Sequence, residues 1–215
     1  MQSFKIDSPY NNQIKLKVSQ GHFATTSSHI NYYIDLATLK ARSSEAQAVA
    51  KSMASDYMAS SVVDTIVCMD GTEVIGAYLA DYLTASGIVS MNQHGTIYVI
   101  RPDINSVGQL TFTDNLIQMI TNKHVLLLLA TATTGRTVEK AVECIEYYGG
   151  KISGISSIFS AAYAVENHDV HAIFHAEDIE GYESFSSHDC PYCKSGVPLD
   201  GIISAGGFSE FKNRP

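Results

Sequence analysis

The sequence predicts an α/β fold built on a mainly parallel, twisted sheet flanked by helices. Two apolar runs, Val62 to Met69 and Val125 to Ala132, have the length of strands buried on both faces, and the first is rich in β-branched residues. Each is followed at once by helical periodicity, and strands alternating with helices of about ten to fifteen residues are the pattern of a parallel sheet. A chain of 215 residues suits one domain with a full core, since single cores are comfortable up to ~250 residues.

Taken in order, Gln13 to Val18 alternates polar and apolar residues and reads as a strand, and Tyr32 to Leu36 as another. Ser43 to Met58 places Ala46, Val49, Ala50, Met53 and Tyr57 at helical spacing, with Ser43 and Ser44 as caps. The strand Val62–Met69 meets a turn at Asp70-Gly71 and then a helix over about Glu73–Ala85. Thr96 to Ile100 is a strand, Arg101 to Gly108 a loop marked by Pro, Asn and Gly, and Leu116 to Ile120 is ambiguous. Val125 to Leu129 is a buried strand. Thr137 to Tyr148 is a helix closed by Gly149-Gly150. Ile152 to Phe159 and Val170 to Phe174 are strands, and the tail from Glu180 is polar and Gly-rich. No internal repeat or linker divides the chain.

The formal net charge is −8 with no basic block, which argues against a nucleic-acid backbone as partner. A small anion remains compatible, because a helix N-terminus binds phosphate without net positive charge. The polar, alternating N-terminus has no signal or transit pattern, and the longest apolar run is far short of the ~20 residues that span a bilayer. A cytoplasmic location with no membrane partner is the expectation. The four cysteines, Cys68, Cys144, Cys190 and Cys193, then stay reduced rather than forming a disulfide framework.

Ligands of parallel sheets bind at the carboxyl ends of strands, so two strand–helix joints matter. In Thr131-Ala-Thr133-Thr134-Gly135-Arg136-Thr137, the threonines offer hydroxyls and Gly135 lets backbone approach a ligand. Arg136 adds a cation, and the helix start presents free N–H groups. The competing reading is a turn in which the threonines only cap the helix. In the other joint, Asp70 and Glu73 flank Gly71-Thr72. They could hold Mg²⁺ beside phosphates, or Asp70-Gly71 is a plain turn and Glu73 a favourable first-turn acid. The plain reading is preferred. In the tail, His188, Cys190 and Cys193 have metal-like spacing. One CxxC supplies only two of four zinc ligands, so His168, His171 or His175 would have to join His188. A reduced, metal-free pair is the expectation, and zinc is not.

The apolar strand followed by two variable residues and Thr133-Thr134-Gly135-Arg136-Thr137 resembles the PRPP-binding motif of type I phosphoribosyltransferases. Four further segments resemble the orotate phosphoribosyltransferase branch, in the right order along most of the chain. GHFATTSSHINYYIDL (Gly21–Leu36) is similar to the base-side segment, and VVDTIVCMDGTEVIGAYLADYL (Val62–Leu83) to the strand, pyrophosphate loop and helix. IYVIRPDINSVGQ (Ile97–Gln109) stands where the flexible catalytic loop begins, and CPYCKSGVPL (Cys190–Leu199) resembles a C-terminal segment of some members. The resemblance implies a small hood from residues 1–40 and 180–215, a homodimer, and Mg²⁺ with PRPP. It places the 5-phosphate on Thr133–Thr137, pyrophosphate at Asp70–Glu73, and the base near Tyr32 and Tyr33, of which strand alternation lets only one face the site. His29 could hydrogen-bond a ligand, although a solvated histidine is the simpler reading.

Three departures bear on activity. The two adjacent acids of the family motif, which hold the ribose hydroxyls, fall on Leu129 and Ala130, and no acid occurs anywhere from Val125 to Thr134. The loop lysine is absent, leaving Arg101 to take its role. The arginine that reads the carboxylate of orotate falls on Ala161, in Phe159-Ser160-Ala161. Each lost electrostatic contact to a transition state costs ~2.7–4 kcal/mol. The expectation is therefore a protein that binds PRPP or a nucleotide 5-phosphate, acting either as a transferase for a nucleobase or as a non-catalytic binding or regulatory protein.

Overall fold

The computed structural model describes residues 2–26, 28–85, 92, 95–204 and 207–211. Positions 205–206 and 212–215 of the expected tail segment lie outside the described residues.

The chain opens with β1 (Gln2–Asp7), β2 (Lys15–Ala24) and β3 (His29–Asp35), an antiparallel meander. Two helices follow, α1 (Ala37–Ala41) and α2 (Ser43–Tyr57). In α2 the residues at helical spacing, Ala46, Val49, Ala50, Met53 and Tyr57, are the ones buried. The central part holds β4 (Thr65–Cys68), α3 (Glu73–Ala85), β5 (Tyr98–Ile100), β6 (Asp103–Ile104), β7 (Leu110–Thr111) and α4 (Asp114–Ile117). Next come β8 (His124–Ala132), α5 (Arg136–Tyr147), β9 (Lys151–Ser160), β10 (Ala164–Val165) and β11 (His168–His175). The tail adds β12 (Ser184–Phe185), α6 (Pro191–Lys194), β13 (Gly201–Ser204) and β14 (Gly207–Glu210).

The main sheet has six strands in the order β10-β11-β9-β8-β4-β5. All its pairings are parallel except that of β10 with β11. The β8 strand runs through its middle, buried on both faces. Leu126, Leu128 and Ala130 enter the apolar cluster shared with α2 and α3, while Val125, Leu127 and Leu129 enter the cluster beneath α5. This is why the run reads as uninterrupted leucine rather than as an alternation. The second sheet is the hood, in the order β12-β3-β2-β13-β14 with β1 also on β2. Ile14, Leu16, Val18 and Tyr32 of the hood share one core cluster with α2, β4 and β8.

Local chemistry fixes the joints. Helix α5 ends at a Schellman motif: the N–H of Gly150 donates to Ile145 O at 2.9 Å, and that of Gly149 (φ +79°) to Glu146 O at 2.9 Å. Between β8 and β9 the register slips, Val125 facing Ile152 and Leu126 facing Gly154. Ser153 is thus the extra residue of a bulge, and its hydroxyl is buried without a partner among the described residues. At Gly154 the sheet surface receives the Tyr57 ring, whose hydroxyl lies 2.8 Å from Ser156 Oγ and donates to Ile155 O at 3.2 Å. A methyl on Gly154 would fall 2.3 Å from Tyr57 Cε1.

The expected strands and helices are all present, with shifted ends. The strand expected over Gln13–Val18 is longer, and the ambiguous Leu116–Ile120 is preceded and begun by the short helix α4. The stretch read as a loop from Arg101 contains β6, paired antiparallel with β7. Two residues per strand is too short for any periodicity to register. β1 and β14 are polar edge strands, and β13 is only four residues long, so sequence pattern passes over all three.

Gly154→Ala is expected to lower stability by about 1–3 kcal/mol through overpacking against Tyr57. At this chain length that is a fall in Tm of roughly 3–10 °C. An unchanged melting curve would show that the ring yields without cost.

Candidate functional site

The β8–α5 joint, the hood and the tail enclose a cavity of about 400 Å³. Thr131, Ala132, Thr133, Thr134, Gly135 and Thr137 form its floor, and Asp70 and Lys40 one side. Thr25, Thr26, Ile30 and Tyr33 of the hood, with Ile203, Ser204 and Gly207 of the tail, form the opposite wall. It lies at the carboxyl end of β8, where parallel sheets place ligands.

Gly135 is the residue before α5 and sits in the left-handed region at φ +77°. A side chain there would also press on the Val165 methyls at 3.3 Å. No side-chain capping bond is formed at this helix start, so the threonines do not cap it. The first N–H groups of α5, with the positive end of its dipole, are left for a ligand. Thr133, Thr134 and Thr137 line the cavity; Arg136 is exposed and is not among the lining residues.

In the β4–α3 joint, Asp70 (φ +56°) and Gly71 (φ +77°) are both left-handed, and the Thr72 N–H donates to Met69 O at 3.2 Å. This is the geometry of a tight turn that favours Asp-Gly. The buried Thr72 hydroxyl lies 2.8 Å from Met69 O and 3.2 Å from Leu128 O. Leu128 O also accepts from the Met69 N–H at 2.8 Å, which ties the two joints together. Burial holds the Asp70 carboxyl above the usual carboxylate range, against the pull of the Lys40 ammonium and of the Ala130 N–H that donates to it. Lys40 Nζ donates to Asp70 O at 2.6 Å. A second cavity, of about 410 Å³, is lined by Lys40, Asp70, Gly71, Glu73 and Arg101 among others. Arg101 is exposed and stands 3.5 Å from the Glu73 carboxylate. Cys68 beside this joint is core, its thiol pushed up by burial to about 12.

These placements bear on Mg²⁺. Glu73 is engaged by Arg101, and the Asp70 carboxyl turns inward to the Ala130 N–H. No group of three or more carboxylates converges among the described residues. The side chains form no all-protein magnesium cage; an ion shared with substrate phosphates would need only one or two carboxylates, for which Asp70 and Glu73, both lining the second cavity, are the candidates.

The aromatic pair divides as alternation requires. Tyr33 lines the cavity and stacks on Phe208 at 4.6 Å and 24°. Tyr32 is buried, its hydroxyl donating to Glu180 O at 3.1 Å. Ala161, where the resemblance places the base-reading arginine, donates its N–H to Ala132 O at 2.9 Å and packs its methyl against the core. The Leu129 side chain is fully buried beneath α5, whereas Ala130 lines the cavity.

Sequence reasoning missed Lys40, which lines both cavities and carries no motif. It missed the tail residues too, which reach the site only through the pairing of β13 with β2. It also chose the wrong partners for the CxxC. Cys190 and Cys193 converge with His22 and His29, not with His188, which is exposed and outside the group. The spacing His22 to His29 across a hairpin was the available signal.

No family model matches the chain. It is 26% identical over 186 residues to the orotate phosphoribosyltransferase of Chlorobium phaeobacteroides, covering 84% of this chain and 86% of the relative. It is 24% identical over 190 residues to that of Wolinella succinogenes, covering 82% and 86%. Among solved structures, Leishmania donovani UMP synthase superposes with a TM-score of 0.54 at 15% identity, over 84% of this chain and 36% of that one. Orotate phosphoribosyltransferase of Mycobacterium tuberculosis, in a complex with Fe(III) dicitrate, gives 0.49 at 17%, over 76% and 91%. No helix among the described residues is long and apolar enough to cross a membrane. The chain has the type I phosphoribosyltransferase fold and resembles, over most of its length, the orotate branch of that family.

Proposed function

We propose that this protein binds a ribose 5-phosphate compound, PRPP or a nucleoside 5-monophosphate, as a cytoplasmic homodimer, and that binding rather than phosphoribosyl transfer is its function. The carrying observation is the uncapped start of α5 behind Gly135, opening with Thr133, Thr134 and Thr137 into the cavity. The phosphate sits on those N–H groups and hydroxyls, and the ring lies toward the Tyr33–Phe208 stack. Against transfer stands the cavity floor: Ala130 offers a methyl where a ribose-holding carboxylate would be needed, and Leu129 points away into the core.

One observation favours a transferase as the second reading. The Asp70 carboxyl, held to the Ala130 N–H, lies in the same cavity beside the place of the missing acid. It could take a ribose hydroxyl and favour a cationic transition state from the neighbouring loop.

Calorimetry with ribose 5-phosphate, PRPP and UMP should give binding at micromolar to millimolar Kd. Gly135→Val, which removes the left-handed turn, should weaken it at least tenfold, about 1.4 kcal/mol. If no compound binds at millimolar concentration, both readings fail. A pyrophosphate-release assay across nucleobases separates them. Turnover in the wild type that Asp70→Asn reduces a hundredfold, about 2.7 kcal/mol, would establish the transferase; no turnover leaves the binding protein. Restoration of acids should be unequal. Ala130→Asp should fold, since its side chain meets the cavity. Leu129→Asp should lose about 3–5 kcal/mol, because it leaves a buried, unpaired carboxylate, and a folded, equally stable Leu129→Asp would refute this orientation of β8.

A further inference from the structure

Four side chains from opposite ends of the sequence converge beside the hood. His22 lies near the end of β2 and His29 opens β3. Cys190 precedes the single turn of α6, and Cys193 lies within it. Their ligand atoms all lie within 4.8 Å of one another. His22 Nε2 is 3.1 Å from His29 Nδ1, 3.4 Å from Cys190 Sγ and 3.7 Å from Cys193 Sγ. Cys193 Sγ is 3.3 Å from His29 Nδ1.

Hydrogen bonding alone does not account for this arrangement. His22 Nδ1 lies 3.0 Å from Val197 O, and a carbonyl only accepts, so Nδ1 carries the proton. Nε2 of the neutral ring is then a bare lone pair. It is aimed at three heteroatoms, although it can accept one proton. The four short distances, 3.1 to 3.7 Å, are close to a tetrahedron's edges, and the remaining pairs lie within 4.8 Å. With Zn–N about 2.0–2.1 Å and Zn–S about 2.3 Å, a tetrahedral ion separates nitrogens by roughly 3.4 Å and nitrogen from sulfur by roughly 3.5 Å. The bond to Val197 O is also what a metal-ligating histidine requires of its other nitrogen, fixing tautomer and ring plane. Tyr192 stacks on the His22 ring at 5.2 Å and 27°, holding it from the far side. Cys190 and His22 are almost wholly buried and Cys193 is exposed. The ion would therefore enter from the Cys193 side.

We propose that His22, His29, Cys190 and Cys193 form a Cys₂His₂ zinc site. Two S–H bonds break, two Zn–S bonds form and both protons leave to solvent, so the site loads under reducing, neutral conditions. Four protein ligands leave no open position, so the ion is structural rather than catalytic. It ties the β2–β3 hairpin to the tail, which is paired to that hairpin on both sides: β12 runs along His29-Ile30 and β13 along Phe23-Ala24. The same hairpin and tail supply the cavity wall opposite the phosphate cradle.

Elemental analysis of protein prepared without a polyhistidine tag tests this directly. About one zinc per chain is expected in the wild type and in Cys144→Ser. Less than about a tenth is expected in Cys193→Ser and in His29→Ala. Cobalt(II) added to reduced, metal-free wild type should give the intense visible bands and thiolate charge-transfer absorption of a tetrahedral S₂N₂ site, a readout that needs no variant to fold. Removing the metal with a chelator should lower Tm by several degrees, and zinc should restore it. Wild type that carries no zinc and shows no cobalt bands would overturn the proposal. So would Cys193→Ser that keeps its zinc. Neither outcome depends on whether a ribose phosphate binds in the cavity.

Discussion

The double burial of β8 is the constraint on which the rest depends. One face of the strand fills the core with α2 and α3, the other the core beneath α5. From Val125 to Leu129 every side chain is apolar and buried, and the carboxyl end of the strand delivers both the floor of the cavity and the start of α5. Leu128 O carries the constraint sideways, taking the Met69 N–H and lying within reach of the Thr72 hydroxyl. The β4–α3 joint is thereby held to the strand that leads into the β8–α5 joint.

On the proposed reading, such a cavity offers more to a phosphate than to the hydroxyls of a sugar. The favourable groups on the phosphate side are backbone N–H groups and threonine hydroxyls, which need no charge and no metal. The carboxylate count is low for the opposite reason: an acid at position 129 would have to be buried in the α5 core, and only position 130 meets the cavity. Asp70 supplies the one carboxyl that faces in from the neighbouring joint, and burial already works against its ionisation.

The parts of the fold that buries most residues were legible in the sequence because burial enforces periodicity. Helices α2, α3 and α5 and strands β4, β8 and β9 each carry a pattern long enough to read. So was the strand–turn–helix joint at Thr133-Thr134-Gly135, since an apolar strand runs there into an amphipathic helix. Illegible were the features that depend on distant pairing. Lys40 reaches Asp70 across 30 residues, and Phe208 meets Tyr33 only because β13 and β14 join the hood. The cysteine pair was visible, but only the spacing of His22 and His29 hinted at its histidine partners, because the hood hairpin and the tail are neighbours only in space. Arg136, prominent in the motif, turns out beside the cavity rather than in it, as the first residue of α5.

The contact between Cys190 and His22 spans 168 residues, whereas the cradle is assembled from one strand, one turn and one helix that follow directly in the chain. Closing a long loop costs more entropy than closing a short one and is a late event in folding. During synthesis the cradle can therefore take shape while the tail is still being made, and the wall facing it completes only after residues 190–208 have been added. The half of the cavity built on the β8–α5 joint forms early, and the half built from the hood and the tail forms last.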